Sequence, residues 1–285
     1  MIKIFIDSAN LEEIKEVASY GILDGITTNP SLIKKEIDNL KKQDKRIRLE
    51  FYIKQILKIA RGKPVSLEVV GLDYKEMVKE ALILYKKFNS ISKNVYIKIP
   101  VNPCLEESCS LEADGIRAIY ELSKSGIPIN CTLIFTPEQA LLAAKAGAKI
   151  VSPFVGREDD YLREIARIKF KKEDYFPEKG IKKLKKIFGD NGISSGVDLI
   201  KECCKIFVNY KIKSEVLAAS IRSSRQFREV ALAGADIATM SISVIKAILR
   251  HHKTVEGMKQ FTKDITPEYA RMVKRLSNKE MLKRK

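Results

Sequence analysis

The 285-residue chain has no tryptophan and only two histidines, the adjacent His251 and His252. Its five cysteines (Cys104, Cys109, Cys131, Cys203 and Cys204) form no Cys-x-x-Cys pair. That spacing suits neither a zinc site nor a disulfide framework, so the thiols are expected to be free and buried. No apolar run is long enough to cross a bilayer. The opening run Ile2-Lys3-Ile4-Phe5-Ile6-Asp7 is too short and too charged for a signal peptide, and a cytoplasmic location without membrane contact is expected. No Gly-x-Gly-x-x-Gly turn follows that run, which counts against a dinucleotide fold. The chemistry therefore falls to ordinary side chains, with no metal and no cofactor expected.

Against those absences stands an excess of positive charge. Lysine and arginine number 53 against 36 acids, a formal net charge of +17. The lysines are scattered through helical stretches with no stacking aromatics interleaved, and no groove-reading motif is visible, so nucleic acid is not an expected partner. A solvated basic surface that also steers an anionic, phosphorylated substrate accounts for the excess. The 45% hydrophobic residues are ordinary for a soluble protein with a large core.

Strand-like and helix-like segments alternate. Short apolar runs rich in β-branched residues recur at Ile2 to Asp7, Gly25 to Thr28, Val65 to Val70, Val95 to Pro100, Ile129 to Phe135, Lys149 to Pro153, Glu215 to Ala219 and Ile237 to Met240. Amphipathic segments follow each, with start signals such as Asn10 and the Thr136-Pro137-Glu138 opening. Eight such units predict an α/β fold: one (β/α)8 TIM barrel over residues 1–285, with helical insertions and a C-terminal helix from about 266. A doubly wound open sheet is the alternative. The stretch 161–191 carries Lys171-Lys172, Lys182-Lys183 and Lys185-Lys186 with interspersed aromatics, and reads as an inserted basic helical hairpin. It leaves the barrel beyond strand six, where a loop can close over an anionic ligand.

The run Val95-Tyr96-Ile97-Lys98-Ile99-Pro100 places one lysine among apolar neighbours. Desolvation disfavours an ammonium and frees the amine to act as a nucleophile. The bland alternative is a strand-end lysine that snorkels to solvent. Barrel enzymes of this kind do their chemistry at the C-terminal ends of the strands. Those ends supply Asp7, Thr28-Asn29, Glu68, Lys98, Thr132, Ser152 with Arg157, and Ser220 with Arg222. One amine, two carboxylates and a hydroxyl on one rim suit Schiff-base chemistry. Ser220, Arg222 and Arg157 lie beyond late strands, where such barrels often hold phosphate.

These stretches resemble the transaldolase family and its relatives the fructose 6-phosphate aldolases. The matching runs include Ile6-Asp7-Ser8-Ala9-Asn10, Thr27-Thr28-Asn29-Pro30-Ser31, Tyr96-Ile97-Lys98-Ile99-Pro100, Val151-Ser152-Pro153-Phe154-Val155-Gly156-Arg157 and Ala219-Ser220-Ile221-Arg222. They keep the family's order, apart from insertions around 39–58, 103–112 and 161–191. The resemblance implies that Lys98 forms the Schiff base and Asp7 takes the C4 hydroxyl proton. Glu68 and Thr132 would hold the water that moves protons. Asn29, beside Thr28, and Ser152 would bind the dihydroxyacetone unit, and Arg157, Ser220 and Arg222 the phosphate. Glu68 and Phe154 match the transferase pattern, whereas the aldolases resemble glutamine and tyrosine there. The implied reaction moves a dihydroxyacetone unit from fructose 6-phosphate or sedoheptulose 7-phosphate to erythrose 4-phosphate or glyceraldehyde 3-phosphate, in the pentose phosphate pathway. Two alternatives stay open: a fructose 6-phosphate lyase, and a non-catalytic basic barrel that binds an anionic polymer. The resemblance also implies a homo-oligomer, because the C-terminal helix of short family members reaches a neighbouring subunit.

Overall fold

The computed structural model describes residues 1–43, 48–106, 109–181 and 192–283, with 278–283 given by backbone alone. Eight parallel strands close into a barrel in chain order: β1 Lys3–Asp7, β2 Gly25–Thr27, β3 Val65–Glu68, β4 Val95–Pro100, β5 Ile129–Ile134, β6 Ile150–Pro153, β7 Glu215–Ile221 and β8 Ile237–Met240. The expected (β/α)8 fold is the observed one, and β1 pairs with both β2 and β8 to close the ring. The helices between strands are α1 Leu11–Ser19, α2 Pro30–Lys41, α3 Leu49–Ile59, α4 Tyr74–Ser92, α5 Asp114–Lys124, α6 Pro137–Lys145, α7 Val155–Ile165, α8 Gly196–Asn209 and α9 Ser224–Leu232. After β8 comes α10 Ile242–Ile248. Met1–Ile245 form one compact unit and Lys246–Lys285 a second, which carries α11 His252–Lys263 and α12 Pro267–Lys283.

Strand alternation sorts the side chains into two cores. Val95, Ile97 and Ile99 turn outward into the apolar layer shared with the helices, while Tyr96 turns into the lumen. The lower lumen is filled by Phe5, Ile150, Leu217 and Ile237. Gly25 makes room for the largest of them, since a Cβ there would sit 2.3 Å from the Phe5 ring. Burying Phe5 stabilises the barrel by about 1.5–3 kcal/mol. Two residues further along each strand, the same inward positions carry Asp7, Thr27, Lys98, Ser152 and Thr239. The plug that stabilises the barrel thus forms the floor beneath a polar rim.

Helix starts follow the sequence closely. Asn10 Oδ1 accepts from the Glu12 and Glu13 N–H groups at 2.9 Å, satisfying donors that the first turn leaves free. Thr136 and Gln139 form a reciprocal capping box with Pro137 in the first turn.

Two stretches differ from expectation. Cys104 and Cys109 are joined in a disulfide, correcting the reading of five free thiols; their Cα atoms stand 6.1 Å apart, within bridging reach. Cys131, Cys203 and Cys204 are free and buried as expected. In the 161–191 excursion, residues 161–165 end α7, and 166–181 carry turns but no helix. The lysine pairs at 182–183 and 185–186, with Phe188, lie outside the described residues. The described part is well anchored: Phe176 is buried against Leu162 and Ala166, and Ser195 Oγ donates to the Glu178 carbonyl at 2.6 Å.

Candidate active site

The register of β3, β4 and β5 sets Glu68, Lys98 and Asn130 in one row across the lumen. Lys98 is 6% exposed, so its amine lies inside the barrel mouth and does not snorkel to solvent. Its Nζ stands 3.1 Å from Glu68 Oε2 and 3.4 Å from the Thr28 carbonyl. Among the described residues, Glu68 Oε2 and the buried Thr132 Oγ1 have no hydrogen-bond partner, and Glu68 meets Lys98 as an ion pair only. A buried amine against a half-buried carboxylate with so few supports is poorly compensated, since desolvation is offset only when the remaining polar atoms are also satisfied.

Asp7 faces this pair from β1. Thr27 Oγ1 lies 2.7 Å from Asp7 Oδ1 and 2.6 Å from Thr239 Oγ1, a chain of three lumen side chains. Burial pushes the Asp7 carboxyl above its ordinary range; the Thr27 hydroxyl and the charges of Lys98 and Arg157 oppose that rise. A carboxylate with a raised pKa is a better proton acceptor than a solvated one.

The enclosed part of the cavity holds about 70 Å³. Asp7, Lys98, Thr132 and Ser152 line it, as do Asn29, Phe154, Arg157 and Ser220 nearer the rim. Three predicted residues are not on that wall. Thr28 is fully buried and its hydroxyl donates to the Ser66 carbonyl at 2.7 Å. Glu68 stands behind the Lys98 amine, and the guanidinium of Arg222 is forked onto Asp160. Asn29 serves two ends, because its Oδ1 caps α2 at Leu32 N–H, 2.9 Å away. Phe154 stacks on Phe135 with centroids 5.7 Å apart, and the Arg157 guanidinium lies 4.9 Å over its ring. A larger groove, about 790 Å³, lies between the C-terminal turns of α1 and α3 among Lys15, Lys58, Arg61 and Lys63. It brings together no acid with a nucleophile, and the chemistry is assigned to the lumen.

Sequence reasoning missed a second tier of polar side chains. Asn130 Nδ2 donates to Ser66 Oγ at 3.0 Å, and Ser152 Oγ donates to Asn130 Oδ1 at 2.6 Å, which fixes the Ser152 hydroxyl. Thr27 and Thr239 do the same for Asp7. The available signal was spacing, since Ser66 and Asn130 each precede a chosen residue by two positions.

Two β-bulges shape the rim. Register shifts between Cys131 and Ile134 and between Ala218 and Ile221, with Leu133 (φ 58°) and Ser220 (φ 61°) in the left-handed region. Such bulges re-aim side chains at barrel rims, and here Leu133 joins the lumen cluster and Ser220 reaches the cavity wall.

A closed parallel barrel with a buried amine, two acids and hydroxyls at one mouth has the architecture of a (β/α)8-barrel enzyme. The family model described as transaldolase/fructose-6-phosphate aldolase matches residues 4–283, and the chain belongs to that family. A probable transaldolase of Thermoplasma acidophilum is 41% identical over 262 residues, covering 92% of this chain and 94% of the relative. Probable transaldolases of Desulfotalea psychrophila and Aquifex aeolicus are 42% and 39% identical, with 92% of this chain and 97% and 95% of the relatives covered. Among the described residues no helix is long and apolar enough to cross a membrane.

Proposed function

We propose that the chain is a transaldolase that transfers a dihydroxyacetone unit between sugar phosphates through a Schiff base on Lys98. The observation that carries this reading is the Lys98 amine, buried in the lumen 3.1 Å from Glu68 and facing Asp7. The neutral amine adds to the ketose C2 carbonyl. Glu68 and the Thr132 hydroxyl support the proton transfers that let the carbinolamine lose water as an iminium. Asp7 takes the C4 hydroxyl proton, the C3–C4 bond breaks, and its electron pair flows into the iminium to give an enamine while the aldehyde departs. Addition of the enamine to an acceptor aldehyde, with Asp7 returning the proton, and hydrolysis then restore the amine. Asn29 and Ser152 orient the hydroxyls of the three-carbon unit, and the cations beyond β6 and β7 hold the phosphate.

Glu68 and Phe154 support transfer over simple cleavage. Phe154, packed between Phe135 and Arg157, offers no hydroxyl to protonate the enamine. A coupled assay with fructose 6-phosphate, with and without erythrose 4-phosphate, tests the reading. Turnover that requires the acceptor supports the transferase. Equal turnover without it identifies a lyase, and silence in both leaves a barrel that only binds anions.

A further inference from the structure

Arg222 is held more tightly than any other cation of the rim. Its Nη1 and Nη2 donate to the two carboxylate oxygens of Asp160 on α7, a planar fork in which both side chains are largely buried, 19% and 16% exposed. Nη1 also reaches the Lys172 carbonyl at 3.5 Å. Its backbone N–H donates to Gln226 Oε1 at 2.8 Å, and Gln226 Nε2 donates to Asp159 Oδ2, also at 2.8 Å. Gly156 leaves space beside the guanidinium, since a Cβ there would stand 2.6 Å from Nε. Successive residues of α7 thus hold Arg222 by its main chain and by its side chain.

Asp160 also faces a second arginine. Arg163 is 4% exposed, its Nη1 lies 3.7 Å from Asp160 Oδ1, and its Nη2 donates to the Asp174 carbonyl at 2.6 Å. Its guanidinium sits 5.0 Å from the Phe170 ring and 4.9 Å from that of Phe176. One carboxylate therefore ties the 166–181 excursion to the arginine beyond β7.

We infer that Asp160 is a positioning residue for phosphate recognition, orienting Arg222 so that its free N–H groups are presented without further ordering. The inference rests on the reading of Arg222 as a phosphate ligand. A guanidinium has five N–H donors; the Asp160 fork takes two and Lys172 at most one more. A long side chain fixed in advance loses less freedom when its anion arrives. The opposing possibility is that Asp160 neutralises Arg222 and keeps it from phosphate, and the two predict opposite signs.

The test compares KM for fructose 6-phosphate with KM for unphosphorylated fructose in the full chain, with unphosphorylated glyceraldehyde as the common acceptor, and adds competitive inhibition by inorganic phosphate. Arg222→Ala should raise the fructose 6-phosphate KM at least tenfold more than the fructose KM. Asp160→Asn should do the same by about fivefold to tenfold and weaken phosphate inhibition. Asp160→Glu, which keeps the charge, should recover part of the loss. In an Arg222→Ala background Asp160→Asn should add little, because it acts through the arginine. An Arg222→Ala variant that loses both substrates equally sinks the phosphate reading and this inference with it. If Arg222→Ala separates them but Asp160→Asn leaves the KM ratio unchanged or improves phosphate binding, only the positioning role is overturned. A general folding defect in Asp160→Asn would lower kcat for both donors without moving their KM ratio, which also overturns it.

Discussion

The two charged regions of the barrel mouth are built on opposite plans. Around Lys98 the partners among the described residues are few: one carboxylate and one distant carbonyl. Around Arg222 they are many: a carboxylate fork, a carbonyl, a glutamine on its backbone and a second arginine beyond the fork. A side chain with the proton-transfer role proposed for Lys98 is served by few fixed protein partners, because no network has to be broken at each step. One that has only to hold a charged group is served by rigidity. The same low dielectric makes the first arrangement costly and the second strong.

The sharpest way to break this comparison is to remove the amine. Lys98→Met keeps an unbranched chain of similar length, and kcat should fall by about 10⁴-fold or more, as expected when a covalent nucleophile is lost. Borohydride with fructose 6-phosphate should add mass to the wild-type peptide that contains Lys98 and none to the variant's. Retained activity would show that the buried pair is only structural.

Asp7→Asn should lower kcat by about 10²–10³-fold, the size of a general acid–base contribution, while borohydride still traps the iminium. The pH profile sharpens the point. Burial raises the Asp7 pKa, so the acid limb of kcat/KM should lie above the ordinary carboxylate range and vanish in the variant. An acid limb that persists unchanged in Asp7→Asn would assign the titration elsewhere. A smaller change is expected from Phe154→Tyr, which places a hydroxyl at the cavity wall and should raise the ratio of cleavage to transfer about threefold, on the order of a weak proton-donor effect. The ratio is read by the coupled assay with and without acceptor aldehyde.

The smallest effect tests an exception to the plan. Glu158 on α7 is buried next to Asp159. Burial, with the Asp159 charge second, raises its pKa to about 7. A folded carboxyl that holds its proton more firmly than the unfolded one contributes full stability below about pH 4.5. That contribution falls as pH rises toward 7 and stays low above it. Glu158→Gln should therefore match the parent near pH 4 and be more stable at pH 8 by on the order of 1–2 kcal/mol, a few degrees in melting temperature for a chain of this size. Equal melting temperatures at pH 8 would place Glu158 in a more solvated setting.

Much of this was readable from residues alone. Eight apolar runs, each followed by an amphipathic segment, pointed to the barrel with an open sheet as the alternative; the β1–β8 pairing decides for closure, and β4 and β8 kept their predicted limits. Local chemistry also fixed the caps at Asn10 and Thr136, because a cap depends on neighbours three residues away. What escaped depends on distance along the chain. The bond between Ser66 and Asn130 spans 64 positions and the Asp160–Arg222 fork 62, and no local pattern marks either. The Cys104–Cys109 bridge escaped for another reason, since a five-residue separation forms a disulfide only when the loop brings the two Cα atoms together.

The amino-acid order by itself determined the alternating strands and helices, the polar strand ends and the lysine among them, because period-two alternation decides which side chains share a face. Only the closed tertiary structure decided how those groups are partnered. Strand register set Glu68 against Lys98, and the packing of α7 at the barrel mouth brought Asp160 to Arg222 beyond β7. Hydrogen bonds and ion pairs are decided by separations of a few ångströms, which a linear pattern does not encode.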